Sequence, residues 1–182
     1  AEQELLAYDV VVWGDVDPEP ISRLYWPRLL RWVTERGGGL ALLAGPQYFP
    51  RAYRANPEMT VLLPIRSSQG SGRVGIYAMQ PTAEGLGDPV LQLGSTPAAS
   101  QAVWSDLPSF TWLWETAQVK PGGQRLVEAT SATATTRWPV IVRHFIGSGE
   151  VLMHLTDETW RLRYRTDDRV FARYWGQCVR RL

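Results

Sequence analysis

The chain has 182 residues, a formal net charge of +1 and 45% hydrophobic residues. This length fits one domain with a single core, and the composition excludes a disordered segment. One cysteine and two histidines exclude an intrachain disulfide and a cysteine-based zinc cluster, so we predict neither a metal site nor a cofactor. The balanced charge excludes a strong overall attraction to nucleic acid. Because no apolar run reaches the roughly eighteen residues of a membrane span, we predict that this segment does not insert into a membrane.

The first part of the chain has a strand, helix, strand pattern. The run YDVVVWGDV at positions 8–16 is apolar and β-branched, which is typical of a strand covered on both faces. Apolar residues then recur at helical spacing until the glycines 37–39, and LALLAG at positions 40–45 predicts a second strand. This order predicts a right-handed crossover in a mostly parallel sheet.

The later elements are predicted one at a time. RVGIYAM indicates a strand and PAASQAVWSDLP a short helix that opens near Ser95 and Thr96. FTWLWETAQV and QRLVEAT indicate strands joined across KPGG, and PVIVRHF with EVLMHL indicates an antiparallel hairpin turning at IGSG. A last helix is predicted with Thr166 as its N-cap and an apolar stripe from Val170 to Leu182.

Four stretches in this order carry a family resemblance: YDVVVWGDVDP, VTERGGGLALLAGPQYFPRAY, LLPI, and the closing GSGEVLMHLTDETWRLRYR with DDRVFARYWGQCVRRL. Together they resemble the class I glutamine amidotransferase-like superfamily, in particular the cysteine-less domains of large bacterial membrane proteins that often carry von Willebrand A-type domains. The resemblance implies an α/β fold: a mostly parallel, flavodoxin-like sheet with helices on both faces and an antiparallel hairpin near the C-terminus. It also implies that residues 1–182 are a single domain cut from a longer protein and lack the first strand and helix of the family fold.

The resemblance carries a prediction about chemistry as well. An active amidotransferase places a cysteine nucleophile at a strand-to-helix elbow, beside a histidine. The matching turn here reads Ala44-Gly45-Pro46-Gln47, and Cys178 falls on the apolar stripe of the last helix, so we predict no glutaminase activity.

Without glutaminase activity, the resemblance implies a non-catalytic domain that serves interaction or ligand sensing within a membrane-associated bacterial protein. The residues do not indicate on which side of the membrane the domain lies. The partners implied are a separate protein or other domains of the same polypeptide, with no nucleic acid. A second copy of the chain could also pair with an exposed sheet edge, because unpaired strand edges recruit further strands.

The stretch HLTDETWRLRYR has two interpretations. As a site, His154 with Asp157 or Glu158 forms a base and its orienting carboxylate in a hydrolase of unknown substrate. As structure, His154 is a hydrogen-bonded core residue, one of the two carboxylates pairs with an arginine of RLRYR, and Trp160 is buried in a clasp with Trp175. Both interpretations stay open at the level of sequence.

Two further surfaces are candidates. Trp112 and Trp114 alternate in FTWLWE, so both side chains face one side of a strand and could stack sugars as a carbohydrate-binding module, or they could belong to the core. Seven arginines fall in the last 22 residues, and Arg161 and Arg163 among them form a candidate ligand or partner surface. Nearby aspartates and glutamates offset this charge, so we predict a solvated face rather than a nucleic-acid groove.

Overall fold

The computed structural model describes residue 5 and residues 7–66, 69–116, 118–132, 134–164 and 167–182. Its strands are β1 (Val10–Trp13), β2 (Gly39–Leu43), β3 (Ser71–Pro81), β4 (Phe110–Glu115), β5 (Gln124–Ser131), β6 (Ala134–Ile146) and β7 (Gly149–His154). Its α-helices are α1 (Tyr25–Arg36), α2 (Pro57–Leu62), α3 (Ala83–Leu86), α4 (Pro97–Asp106) and α5 (Asp167–Arg181). Short 3₁₀ helices cover Arg51–Tyr53, Pro89–Leu91 and Glu158–Arg163.

The seven strands form one sheet in the order β1-β2-β7-β6-β5-β3-β4. Two neighbouring pairs, β1 with β2 and β2 with β7, are parallel, whereas the other four pairs are antiparallel. The predicted mostly parallel, flavodoxin-like sheet of the amidotransferase-like fold is therefore wrong. The architecture is a mixed α/β domain with a mostly antiparallel sheet.

The burial of alternate residues on β3 is consistent with the antiparallel pairing of this strand. On β3, Tyr77 and Met79 are buried, while Ile76, Ala78 and Gln80 are exposed. Such alternation is typical of antiparallel strands with one face in solvent, whereas parallel strands are buried on both faces. The prediction failed because it extended the pattern of β1 and β2 to strands that do not share it.

Several local predictions are confirmed. The strand, helix, strand unit β1-α1-β2 is parallel, and β6 and β7 form the antiparallel hairpin. The prediction that the first strand is covered on both faces is wrong, because β1 is an edge strand on which Val12 is exposed. Thr96 caps α4 by accepting a hydrogen bond from the amide of Ala99. The FTWLWE and QRLVEAT strands exist, but β3 lies between them in the sheet, so they are not neighbours. The predicted cap Thr166 lies outside the described residues.

Strand β7 is the centre of the core, and all of its residues are buried. On one face, a Cβ added to Gly149 would lie 2.3 Å from the carbonyl oxygen of Val33, so α1 packs directly on the strand. On the other face, His154 contacts Tyr174 and Trp175 of α5. These two helices bury the large apolar side chains Leu29, Trp32, Val33, Val170, Tyr174 and Cys178. Burial of this apolar surface is the main favourable contribution to folding.

A buried ion network joins the hairpin to two other elements. Arg143 on β6 is 4% exposed, and its guanidinium pairs with Asp88 and, through Nε at 2.6 Å, with Glu150 on β7. The second carboxylate oxygen of Glu150 lies 3.2 Å from Arg181 at the end of α5. Two acids and two arginines thus compensate one another in a place where an isolated charge would be costly.

Strand β4 also contacts the segment that follows β7. The amide of Trp114 donates to the carbonyl of Leu155 at 2.7 Å, and the hydroxyl of Thr156 donates to the carbonyl of Trp112 at 2.9 Å. These bonds place the start of the Glu158–Arg163 helix against β4 although β4 and β7 are far apart in the strand order.

Candidate functional site

The three parallel strands end at one edge of the sheet, which is where open α/β sheets bind ligands. Asp15 follows β1, the turn Ala44-Gly45-Pro46-Gln47 follows β2, and Asp157 follows β7. The structure therefore brings together the predicted elbow and one of the predicted site carboxylates.

Asp15 fixes the loop that follows β2. Its carboxylate accepts hydrogen bonds from the amides of Gln47 at 2.8 Å, Tyr48 at 2.7 Å and Phe49 at 2.6 Å. A Cβ added to Gly45 would lie 2.4 Å from Asp15, so the acid fills the space at the turn. The elbow is thus a structural loop held by a carboxylate, and a nucleophilic side chain at Gly45 would clash with it.

His154 is completely buried beneath α5. Its Nε2 is 2.5 Å from the hydroxyl of Tyr174, and its ring stacks on Trp175 with centroids 5.2 Å apart. Burial lowers the pKa of His154 to about 4, although a backbone hydrogen bond with Leu42 acts in the opposite direction. The imidazole is therefore neutral at physiological pH. The cavity beside it, which Thr156 also lines, measures about 10 Å³, whereas small-molecule pockets measure roughly 300–1,000 Å³.

Glu158 is buried and bound on several sides. Its carboxylate accepts hydrogen bonds from the amides of Thr111 and Trp112, from the Thr111 hydroxyl at 2.6 Å and from Arg161 Nε at 3.0 Å. Burial alone raises the pKa of Glu158, but these donors outweigh it and hold the pKa below its usual value. The prediction that Asp157 or Glu158 pairs with an arginine of RLRYR is confirmed for Glu158, whose bonds anchor the 3₁₀ helix to β4.

Asp157, by contrast, is exposed. Partial burial of its carboxyl group raises its pKa, and the nearby carboxylates of Glu158 and Asp15 act in the same direction. Among the hydrogen bonds of the described residues, none joins His154 to Asp157 or Glu158. The structure therefore separates the three residues that the hydrolase interpretation combines, with His154 in the core, Glu158 in an anchor and Asp157 on the surface.

Cys178 is buried on α5, as the apolar stripe predicted. Burial raises the pKa of its thiol to about 12, although a hydrogen bond with Tyr174 acts in the opposite direction. The group is therefore a protonated core side chain and not a thiolate nucleophile.

The predicted clasp between Trp160 and Trp175 is wrong for Trp160. Trp175 is partly buried against His154, but the indole of Trp160 is 43% exposed. The reason is the three-residue period of the 3₁₀ helix, on which Thr159 and Leu162 form the buried face and Trp160 lies on another.

The remaining candidate residues fall into two groups. Trp114 is 3% exposed beneath the guanidinium of Arg54, and Trp112 is half-buried, so the two indoles do not form an exposed ladder. Arg161 and Arg163 lie on the Glu158–Arg163 helix, where they pair with Glu158 and Asp168 at 3.0 and 3.2 Å.

Sequence reasoning missed Asp15 and Tyr174. The signal for Asp15 was its position directly after a strand and a glycine, where a carboxylate commonly accepts hydrogen bonds from backbone amides. The signal for Tyr174 was a hydroxyl on an apolar stripe, because a buried tyrosine needs a hydrogen-bond partner.

The described residues contain no group of three or more histidine, cysteine, aspartate or glutamate side chains arranged to hold a metal ion. None of their helices has the length and apolar character needed to cross a bilayer.

Comparison with solved structures shows that this mixed α/β architecture occurs in several bacterial proteins. Over its whole length the chain is similar to 74% of the cytoplasmic protein STM3548 from Salmonella typhimurium, with a TM-score of 0.71 and 14% identity. A second match, the cytoplasmic protein STM1381 from Salmonella typhimurium LT2, has a TM-score of 0.66, 14% identity and the same coverage of both chains.

The fold also occurs as a small part of glycosidase chains. The exo-β-1,4-mannosidase Op5Man5 from Opitutaceae bacterium strain TAV5 aligns with 93% of this chain, with a TM-score of 0.52 and 18% identity, but only 25% of the mannosidase is covered. The β-galactosidase from Bacillus circulans sp. alkalophilus aligns with 98% of this chain and is covered over 23%, with a TM-score of 0.54 and 13% identity. No family model matches the sequence, and no curated protein matches it. At these identities the likeness establishes the fold alone.

Proposed function

We propose that the chain is a non-catalytic domain that serves interaction or ligand sensing within a larger, membrane-associated protein. The observation that carries this proposal is the position of His154. A general base must reach the proton that it abstracts, and this imidazole is buried, bonded to Tyr174 and stacked on Trp175.

The other groups support the same conclusion. Glu158 is held by Thr111, Trp112 and Arg161, and Cys178 is protonated in the core. The glycosidase likeness adds support of another kind, because there the fold makes up less than a third of each chain. A domain that occurs as a small part of larger polypeptides suits a role in contact or recognition.

A turnover assay tests the absence of catalysis. Purified protein is incubated with glutamine and with chromogenic esters, phosphates and glycosides, and wild type is compared with Asp157→Asn and Cys178→Ala. We expect no turnover above buffer in any sample. Hydrolysis by wild type that disappears in Asp157→Asn would restore the hydrolase alternative, and ammonia release that disappears in Cys178→Ala would restore glutaminase chemistry.

Fractionation of cells tests the membrane association. The polypeptide that contains this domain is followed with an antibody raised against residues 1–182. We expect it in the membrane pellet after washing with high salt and with alkaline carbonate. Recovery of the intact polypeptide in the supernatant before any wash would contradict this part of the proposal.

A second copy of the chain is a further candidate partner, and the sheet edge at β1 supports it. β1 is the outermost strand beside β2, and Val12 on it is 53% exposed. Light scattering across a concentration series measures the association. We expect dimers that Val12→Lys dissociates, because a charge on an edge strand opposes further strand pairing. A monomer at all concentrations would exclude this partner.

A further inference from the structure

The Glu158–Arg163 helix presents an exposed row of chemically different groups. Its period of about three residues and rise of about 2 Å place residues i and i+3 one above the other, about 6 Å apart. The residues Asp157, Trp160 and Arg163 therefore lie in one row on one face, and all three are exposed. The guanidinium of Arg163 lies 4.2 Å from the centre of the Phe171 ring on α5. The neighbouring faces carry the Glu158–Arg161 ion pair and the buried side chains Thr159 and Leu162.

The indole of Trp160 is held in place although it is exposed. The guanidinium of Arg161 lies 4.8 Å from the centre of the Trp160 ring system. Tyr164, which is 49% exposed, meets the indole with ring centroids 5.5 Å apart and planes at 77°. The two rings form a corner, and the guanidinium of Arg161, which covers one face of the indole, is itself fixed by Glu158, so a ligand stacks on the opposite face. Because little side-chain freedom remains to be lost, a ligand binds such a surface at low entropic cost.

The charges of this surface favour a neutral ligand. Glu158 pairs with Arg161, and Arg163 pairs with Asp168 at 3.2 Å, so these four charges cancel. Asp157 then contributes a local negative charge that would repel an anion. Its carboxylate accepts hydrogen bonds from hydroxyl groups, and a guanidinium offers several donors to hydroxyl oxygens.

We propose that the Asp157–Trp160–Arg163 row, with Tyr164, binds a neutral saccharide. A sugar ring has one apolar face of C–H groups, which stacks on an indole, and hydroxyl groups at its rim, which reach the carboxylate and the guanidinium. The spacing of about 6 Å between successive residues of the row is similar to the width of one sugar ring. The row lies just beyond the carboxyl edge of the parallel strands, in the region where open α/β sheets hold ligands. This inference rests on the proposed recognition function and names its surface and ligand class.

Affinity electrophoresis tests the proposal. The protein migrates through native gels that contain soluble galactomannan, mixed-linkage β-glucan or dextran, with polygalacturonate as a charged comparison. We expect at least one neutral polysaccharide to retard wild type. Trp160→Ala should weaken binding about tenfold, the loss that corresponds to one stacking contact, and Trp160→Phe should restore part of it. Tyr8→Ala removes an aromatic side chain that is 61% exposed on another surface, and it should migrate like wild type.

Three outcomes would overturn the proposal: no retardation by any neutral polysaccharide, equal retardation of wild type and Trp160→Ala, or a stronger effect with polygalacturonate. In the absence of retardation, a cross-linker on Tyr164→Cys of the full polypeptide that captures a protein would assign the surface to a protein contact instead. Release of reducing sugar from a retarding polysaccharide would contradict the non-catalytic function and leave the binding site in place. If the protein is not retarded and releases no reducing sugar, the saccharide proposal is contradicted, whereas the non-catalytic function is not.

Discussion

The parallel and antiparallel halves of the sheet differ in how much surface they leave to solvent. All residues of β7 are buried between α1 and α5, whereas on β3 Val74 is 85% and Ile76 is 68% exposed. Within the parallel half, β2 and β7 are therefore the strands covered on both faces, and Asp15 and Asp157 lie at the carboxyl edge of this half. The antiparallel half contributes the donors on β4 that anchor Glu158. Of the acids near this edge, Asp15 and Glu158 hold loops in place through backbone hydrogen bonds, whereas Asp157 is exposed.

The largest expected effect comes from a cavity in the parallel half. Leu42 on β2 is completely buried, so Leu42→Ala should lower the free energy of unfolding by about 4 kcal/mol. Val74→Ala on β3 is the matched change in the other half and should cost less than about 0.5 kcal/mol because its side chain is exposed. Urea denaturation of both variants measures the difference. Equal losses would mean that the two halves do not differ in burial as described.

Acid should weaken the parallel half through His154. Its folded-state pKa of about 4 lies below its ordinary value of 6.5, so the unfolded chain binds the proton more readily between these two values. Stability therefore falls as the pH decreases from 6.5 to 4, by about 3 kcal/mol, and this contribution does not change further below that range.

Urea denaturation at successive pH values measures this loss. His154→Gln should show a shallower decline than wild type over the same range. His144 is partly exposed on β6, and burial lowers its pKa as well, so His144→Gln should remove a smaller part of the pH dependence. Parallel curves for wild type and His154→Gln would show that the buried imidazole does not control acid stability.

The loop after β2 should lose its anchor in Asp15→Asn. The side-chain amide of asparagine accepts hydrogen bonds from the three backbone N–H groups less strongly than the carboxylate does. We therefore expect the free energy of unfolding to decrease by about 2 kcal/mol. Asp17→Asn is the control, because Asp17 accepts one amide, that of Glu19, at an exposed position. Hydrogen exchange at Gln47, Tyr48 and Phe49 should accelerate in Asp15→Asn alone. Unchanged exchange at these amides would refute the anchoring role.

The smallest expected effect concerns the arginines near the C-terminus. Arg161, Arg163 and Arg181 pair with acids, and Arg173 and Arg180 donate to backbone carbonyls. Binding to random DNA or RNA at physiological salt should therefore be no tighter than about 10⁻⁴ M, the weak end of non-specific affinity. Fluorescence anisotropy measures it, and submicromolar binding that weakens with added salt would contradict the prediction.

The elements that sequence reasoning predicted are those fixed by local patterns. The β1-α1-β2 unit, the β6-β7 hairpin and the α5 stripe follow from periodicity, turn residues and caps within about 40 residues of chain. The order of the antiparallel strands depends on contacts between distant segments, such as β3 between β4 and β5. The pattern of one strand does not specify which strand lies beside it, so the strand order was not predicted.

The candidate site shows the same division. Burial of Cys178 and the pairing of one of the carboxylates Asp157 and Glu158 with an arginine follow from residue type and spacing, and both were predicted. The exposure of Trp160 depends on a three-residue helical period, which a segment of six residues does not reveal when strand, turn and helix patterns overlap in it. The burial of His154 depends on its contact with Tyr174 of α5, a residue 20 positions later in the chain.

The ion network around Arg143 constrains how this sequence can change over evolution. Asp88 and Glu150 both pair with Arg143, and Glu150 also pairs with Arg181, so replacing Arg143 alone leaves the buried carboxylate of Asp88 without its counterion. Replacing all three together with apolar side chains of similar volume avoids that penalty. The effects of substitution at these positions are therefore strongly non-additive, and related sequences should conserve the three residues as a set or lose them as a set.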